Sequence, residues 1–351
     1  MPPARLEPPY DGARPGVVRP VRVDPAGLTG PTRAQARGRS WRRTSYGFYV
    51  PSEVDGDLPE QRIVEAGHDL RGTQSVTGWA ALRWHGAEWF DGRTAAGDQR
   101  PVQLAVVHGS RRSQPGINVT SEYLPPRDRV VLDGLQVVSR VCAVAYEMRY
   151  AADVVEAVRA FDLAAAADLV SRVEVLDYFE LLYHWTGIPL AREAATLVDE
   201  NAWSPAEVDV RLVWPLDLGL TAPVTNRPVF DRQGRHVGTP DLLDVEAGLA
   251  VEYNSRLHLA GARHAKDLVR DDDFRAVGLE VLTLVSADRV DRRRMIGRIQ
   301  AARARAPFLS DVDRRWTLEQ PTWWQPTHTV ELRRSLTPAQ QERFLGYRRT
   351  G

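Results

Sequence analysis

The period of the apolar positions changes several times along the chain, and the changes mark its elements. Residues 41–51, WRRTSYGFYVP, alternate basic, small and aromatic side chains and read as a strand or hairpin ending at a proline. From Leu58 to Leu70 the apolar spacing is helical, as it is in AALRWHG at 80–86. PVQLAVVHG (101–109) is a strand by its β-branched content. INVTSEYL and RVVLDGLQVVS, within 117–139, read as two more strands, with Asp133-Gly134 as a tight turn. A helical region follows from about 140 to 200, broken by short loops such as Thr186-Gly187.

The last third has a different grammar. SPAEVDVRLVWPLDLGL (204–220) opens like a helix: Ser204 caps it, Pro205 takes the first helical position, and Glu207 follows three residues after the cap. RPVFD (227–231) is a strand and DRQGR a turn; GTPDLLDV (238–245) and GLAVEYN (248–254) are strands joined by Glu246-Ala247-Gly248. Residues 261–277 read as an amphipathic helix, LEVLTLVS (279–286) as a strand, and 288–305 as an Arg-rich helix. In that helix Val290, Met295, Ile296 and Ile299 form the apolar side, and Arg292, Arg293, Arg294, Arg298, Arg303 and Arg305 form either a phosphate-contacting surface or a solvated face. In the tail after residue 306, Trp316, Trp323 and Trp324 either cover the core or contact a partner, and TPAQQERFLGYRR closes it as a short capped helix. Residues 1–40, rich in Pro, Gly and Arg, are expected to form a flexible arm with one short helix near PTRAQARGR.

Composition narrows the class. A chain of 351 residues suggests two domains, and 43% hydrophobic with 26% charged residues predicts a globular protein. Basic and acidic residues number 46 each, so any polyanion site must be a local patch. The single cysteine, Cys142, excludes an internal disulfide and a cysteine-based metal site, and its apolar surroundings predict a buried thiol. Lys266 is the one lysine; the other basic residues are arginines. With no secretory pattern at the start and no run of 18 apolar residues, the expectation is a cytoplasmic protein without membrane contact. Walker A, GxGxxG, GxSxG and HExxH motifs are absent.

Three acids stand where chemistry is expected: Glu207 on a helix, Asp241 at one strand and Glu252 on the next. Asp241 and Glu252 are eleven residues apart across a hairpin turn, a spacing that brings residues at the far ends of two strands side by side. Glu252 follows Ala250-Val251, and a carboxylate in an apolar strand needs a partner or a metal. Clustered carboxylates favour hard cations such as Mg²⁺, which assist phosphodiester hydrolysis.

GTPDLLDVEAGLAVEYNSRLHL with RHAKDLVRDDDFRAVGLEVLTL resembles the nuclease-like domains related to the very-short-patch-repair (Vsr) endonuclease, within the PD-(D/E)XK superfamily. The resemblance covers about residues 204–305. Pro240-Asp241 matches the first acid, and Glu252-Tyr253-Asn254 matches the (D/E)XK element with Asn254 in place of the lysine. It implies Asp241 and Glu252 as ligands of Mg²⁺ or Mn²⁺, Glu207 assisting, and Asn254, His258 or Lys266 positioning the attacking water. For Lys266 the alternative is a solvated charge beside Asp267, and for His258 a loop histidine. Arg256, Arg263 and Arg270 are the expected nucleic-acid contacts of this part.

The front of the chain resembles a second family. WRRTSYGFYVP, TGWAALRWHG, INVTSEYLPPRDRVVLDGLQVVS and VEAVRAFDLAAAADLVS are similar to the AbiEi-type antitoxins of type IV toxin–antitoxin systems. The resemblance implies a DNA-binding winged helix, degenerate here, in which WRRTSYGFYVP is the wing and Trp41, Arg42 and Arg43 face phosphate, and it implies a cognate toxin as partner.

The expectation is therefore an α/β protein: a 1–40 arm, an α+β AbiEi-antitoxin-like region over 41–200, a Vsr-like PD-(D/E)XK restriction-endonuclease-like domain over 201–306, and a 307–351 tail. Its function is expected to be nucleic-acid binding with Mg²⁺-dependent endonuclease activity on DNA. The alternative is a non-catalytic antitoxin or transcriptional regulator with a degenerate nuclease fold, which Asn254 favours.

Overall fold

A computed structural model describes Arg14 and residues 16–107, 111–254 and 270–346. The architecture is mixed α/β, as the periodicity predicts, and the chain divides into two compact units. One comprises residues 1–150 with 177–182, the other 151–176 with 183–351. Where the sequence suggested a boundary near residue 200, the main break falls between Tyr150 and Ala151, and residues 177–182 return to the first unit. The cause is packing: helix Val154–Ala166 buries Ala157, Val158, Phe161 and Leu163, and its fully buried Asp162 pairs with Arg211 of helix Pro205–Arg211 at 2.7 Å. That pairing draws the helical region into the C-terminal unit.

In the first unit the expected 41–51 hairpin forms from strands Trp41–Ser45 and Phe48–Pro51. The flexible arm is corrected over its described part. Strand Val21–Arg22 adds to the hairpin, pairing Val21 with Tyr49 and Arg22 with Phe48. Val17 is buried, and the Val18 backbone exchanges two hydrogen bonds with the Gln61 amide, at 2.8 and 3.0 Å. Among the described residues before Trp41 the helical content is one 3-10 turn, Gln35–Arg37, so no helix-turn-helix precedes the hairpin there.

A five-stranded mixed sheet follows, ordered Ile117–Thr120, Val102–Ala105, Ser75–Thr77, Leu135–Val138, Arg129–Leu132. Its outer hairpin turns at Asp133 and Gly134, with φ of 48° and 74°. Two consecutive left-handed residues give a tight turn whose twist matches the strands, which explains the Asp-Gly pair.

The second unit centres on a four-stranded sheet ordered Glu280–Val285, Leu249–Asn254, Leu242–Asp244, Val224–Thr225. Only its first pair is parallel. Both faces are covered: Leu249 and Val251 pack with Trp214, Met295 and Ile299, while Leu243 and Ala250 pack with Phe274 and Trp316. Burial on both faces explains why LAVEYN runs apolar instead of alternating.

The tail belongs to this unit. Trp316–Thr317 pairs with Val229–Asp231, which also pairs with His236–Gly238. Arg333 is completely buried; it reaches Asp168 at 2.5 Å and donates to the carbonyls of Ala165, Glu200 and Thr327 at 2.7–3.0 Å. The tail tryptophans divide: Trp316 is in the core and Trp323 is 62% exposed.

The Arg-rich helix also departs from expectation. Asp291 caps a fresh helix, Arg292–Arg305, after the short Ser286–Val290 turn, so Val290 faces solvent while Met295 and Ile299 are buried. Five of its arginines hold internal carboxylates: Arg292 with Asp217, Arg294 and Arg298 with Asp288, Arg303 with Asp244, and Arg305 with Glu280. Their charges are answered within the fold, although Arg292, Arg294 and Arg305 keep much of their side chains exposed.

Candidate functional site

The register of the second unit's central strands sets the site. Leu242 pairs with Val251, Leu243 with Ala250 and Asp244 with Leu249. One step further along the same antiparallel register, Asp241 faces Glu252. The Asp241 Oδ2 accepts the Tyr253 N–H at 2.7 Å, which fixes the carboxylate against the neighbouring strand. Strand alternation sends Ala250, Glu252 and Asn254 to one side of the sheet, the side carrying Phe274. Glu252 is buried, and the Arg270 guanidinium donates to its Oε2 at 2.7 Å.

Arg270 opens the described part of the helix that runs through residues 270–276. Gly238, just before Thr239-Pro240-Asp241, lets this helix lie close: a Cβ there would stand 2.7 Å from the Phe274 ring. Arg270, expected as a nucleic-acid contact, is here the counter-ion of Glu252.

Glu207 enters from the start of helix Pro205–Arg211. The predicted cap forms: Ser204 Oγ accepts the Glu207 N–H at 3.3 Å and donates to Glu207 Oε1 at 2.8 Å. The carboxylate also accepts the Trp203 N–H at 2.8 Å. Burial first, and the charge of Asp241 second, push its carboxyl up to about 7, against the pull of Trp203, Asn226 and Ser204. Glu207 and Asp241 are therefore close enough to interact electrostatically.

Two asparagines were invisible to sequence reasoning. Asn226 Nδ2 donates to Glu207 Oε2 at 2.7 Å and to the Asn201 carbonyl at 2.8 Å. Asn201 Nδ2 returns bonds to the carbonyls of Thr225 and Asn226 at 2.7 and 3.1 Å. The Asn226 N–H bonds the Asp241 carbonyl at 2.9 Å, linking the pair to the first strand acid. Asn226 holds a φ of 48°, a left-handed conformation that asparagine tolerates better than other side chains. Its Oδ1 and the Thr225 Oγ1 are buried with no hydrogen-bond partner among the described residues, and such atoms usually mark an ordered water or ion. The available signal was a Thr-Asn pair just before a strand.

Asn254 ends its strand opposite Val285. His258, Lys266, Arg256 and Arg263 lie outside the described residues. Among the described residues no group of three or more His, Cys, Asp or Glu is arranged to hold a metal ion. The donors that are present suit a hard cation in kind: the carboxylates of Asp241 and Glu252, and the partnerless amide oxygen of Asn226.

In the first unit, Arg42 does not face outward to phosphate. It grips Glu65 with two hydrogen bonds, at 2.7 and 3.0 Å, and Trp41 is buried beside it. Arg43 remains at the surface; its Nε donates to the Ser45 carbonyl at 3.1 Å and its guanidinium lies 5.5 Å from the exposed Tyr46 ring. Cys142 is half-buried, and desolvation pushes its thiol up to about 12.

Compared with known proteins, the chain matches no family model, no curated protein and no solved structure. No helix among the described residues is long and apolar enough to cross a membrane.

Proposed function

We propose that the second unit is a PD-(D/E)XK-type, Vsr-like domain that binds nucleic acid and hydrolyses its phosphodiester bonds with Mg²⁺ or Mn²⁺. The observation that carries this reading is the placement of Asp241 across from Glu252 on paired strands, with Glu207 close enough to feel Asp241. When bound, the cation supplies Lewis-acid stabilisation of charge at the scissile phosphate. Asp241 and Glu252 would hold it, which requires Arg270, whose side chain is partly exposed, to release Glu252. Glu207, raised toward neutrality, holds or gives up a proton beside Asp241. Asn254, His258 and Lys266 are assigned to the positioning of the attacking water.

The aromatic group on the same unit supports nucleic-acid binding. Trp323 and Trp324 pack edge to face at 5.6 Å, and Trp324 lies 4.7 Å from the His236 ring. With Trp323 largely exposed, this cluster offers a face for stacking bases.

A second reading rests on a specific observation. Arg270 already neutralises Glu252, as an internal cation does in a fold kept for binding alone. Together with Asn254 in place of the superfamily lysine, it favours a non-catalytic antitoxin or regulator, with an AbiEi-like first unit acting on DNA or on a cognate toxin.

A nuclease assay on the full chain separates the two. Supercoiled DNA, linear DNA and RNA are incubated with Mg²⁺ or Mn²⁺, beside Asp241→Ala and Glu252→Ala. Cation-dependent cutting, lost in both variants, is the expected result. No cutting on any substrate, with both variants folded and DNA binding unchanged, moves the assignment to the regulator. Arg270→Gln sharpens the choice: the catalytic reading expects Mn²⁺ affinity to rise about tenfold, a change of about 1.4 kcal/mol. The regulator reading expects no Mn²⁺ binding in either form.

A further inference from the structure

A cavity of about 430 Å³ opens in the first unit, lined by Arg19, Arg22, Arg71, His68, Asp69 and Phe48 among others. Its floor is the ring of Phe48, at the start of the second hairpin strand. The Arg22 guanidinium lies over that ring at 4.5 Å, and the His68 ring meets it edge-on at 4.3 Å. Stacking holds the Arg22 fork in one orientation without neutralising it.

The charge of this cavity is uncompensated. Among the described residues Arg19, Arg22 and Arg71 form no ion pair. Asp69, the one acid in the lining, is already held by Arg111 at 2.8 Å. Three guanidinium groups lining one concavity, none of them paired with a carboxylate among the described residues, is the reverse of the pairing found along the Arg292–Arg305 helix.

His68 adds a second, independent signal. It is 5% exposed, and its Nδ1 lies 3.2 Å from the Val64 carbonyl. A carbonyl only accepts, so Nδ1 carries the proton and the Nε2 of the neutral ring is a lone-pair acceptor. That Nε2 is buried with no partner among the described residues. A buried acceptor without a donor is costly unless a ligand or water supplies one.

We infer that this cavity binds a phosphomonoester, whose anionic oxygens accept from Arg19, Arg22 and Arg71 beside the neutral His68 ring. A phosphomonoester with a second pKa of ~6 is largely dianionic at neutral pH, and its terminal oxygens match several cationic donors around one concavity. The volume, about 430 Å³, lies in the range of small-ligand sites and accommodates a nucleotide. The phosphomonoester comes either from a free mononucleotide or from the phosphorylated end of a nucleic-acid strand. The pocket chemistry is independent of the carboxylate cluster and stands whether or not the second unit cuts.

Titration calorimetry on the full chain tests this with four probes: adenosine 5′-monophosphate, adenosine, and one short oligonucleotide with a 5′-phosphate or a 5′-hydroxyl. The expected result is binding of at least one phosphorylated probe at least tenfold tighter than its dephosphorylated counterpart. A preference for the mononucleotide identifies a free ligand; a preference for the phosphorylated strand identifies an end-binding site. Arg22→Gln and Arg71→Gln, both at exposed positions, are each expected to weaken that binding about tenfold with the melting temperature unchanged. His68→Gln is expected to weaken it as well. Equal binding of phosphorylated and dephosphorylated probes, or phosphate-dependent binding unaltered in the Arg22→Gln/Arg71→Gln double variant, overturns the assignment.

Discussion

Arg333, in the second unit, is wholly buried and directs its donors to Asp168 and three backbone carbonyls. Arg22, in the first, lies exposed over Phe48 and is paired with no carboxylate among the described residues. The same contrast runs through the two regions. Along Arg292–Arg305, at Arg211 and at Arg270, arginine balances a carboxylate of the fold. Around the Phe48 cavity it does not. In a chain with one lysine, arginine serves both as mortar and as ligand-binding group, and only its partner tells which. A guanidinium offers five donors in a rigid fork, so it can satisfy several buried carbonyls at once, as Arg333 does.

The largest test of the contrast is Arg333→Met. Loss of this side chain leaves Asp168 without its cation and the carbonyls of Ala165, Glu200 and Thr327 without a donor. Breaking a buried pair this way costs about 3–5 kcal/mol. Urea denaturation of the variant should show the second unit's unfolding free energy falling by that amount. Arg22→Gln, by contrast, should remain within about 0.5 kcal/mol of the parent, as expected of an exposed site. A loss below about 1 kcal/mol for Arg333→Met would mean that the tail is not anchored through it.

Arg211→Met gives a smaller effect that depends on pH. Asp162 is fully buried, and burial raises its carboxyl to about 7 despite Arg211 and the Asp199 N–H. Its unfolded value is about 3.9. A raised folded value means that the associated stability is full below about pH 4 and is lost as pH climbs through about 7. Without Arg211 the folded value climbs further, so the variant is penalised most where the carboxylate must carry charge. The expected loss is about 3 kcal/mol at pH 8 and clearly less at pH 5, where Asp162 takes a proton. Urea midpoints at the two pH values check it. An equal loss at both would show that Arg211 acts through packing alone.

The sequence made local chemistry legible. Asp133-Gly134 predicted the tight turn because few side chains accept two left-handed residues in succession. Ser204, Pro205 and Glu207 predicted a helix start, and their hydrogen bonds form. The eleven-residue spacing of Asp241 and Glu252 placed them correctly because antiparallel pairing around a short turn is close to arithmetic. Long-range partners were not legible. Asn201 and Asn226 meet through side-chain-to-backbone bonds across 25 residues, with no periodic signature. The tail could not be placed because its anchor is a buried arginine, which runs against the usual exposure of that residue. The boundary near 200 failed for a related reason: the Asp162–Arg211 pair joins helices that composition alone separates. The charge run decided nothing by itself, since the sequence of Arg292–Arg305 gives no hint of the carboxylates that meet five of its arginines.

The smallest effect makes the finest test, because it compares two neighbours on one strand. Arg42 and Arg43 adjoin in Trp41–Ser45, and alternation sends them to opposite sides. Arg42 is clamped on Glu65 and packs against Gly56, where a Cβ would stand 3.0 Å from its guanidinium. Arg43 has only a backbone carbonyl and a loose ring contact. If pairing decides role, Arg42→Gln should cost under about 1 kcal/mol, the range of a half-exposed ion pair, and leave DNA retention unchanged. Arg43→Gln should leave stability unchanged and reduce the salt dependence of DNA binding by about one phosphate contact. Gel-shift titrations of both variants at several salt concentrations decide it. Should Arg42→Gln weaken DNA binding as much as Arg43→Gln, an internally paired guanidinium would be reaching phosphate after all. The distinction between the two classes of arginine would then fail on the hairpin, where it is easiest to measure.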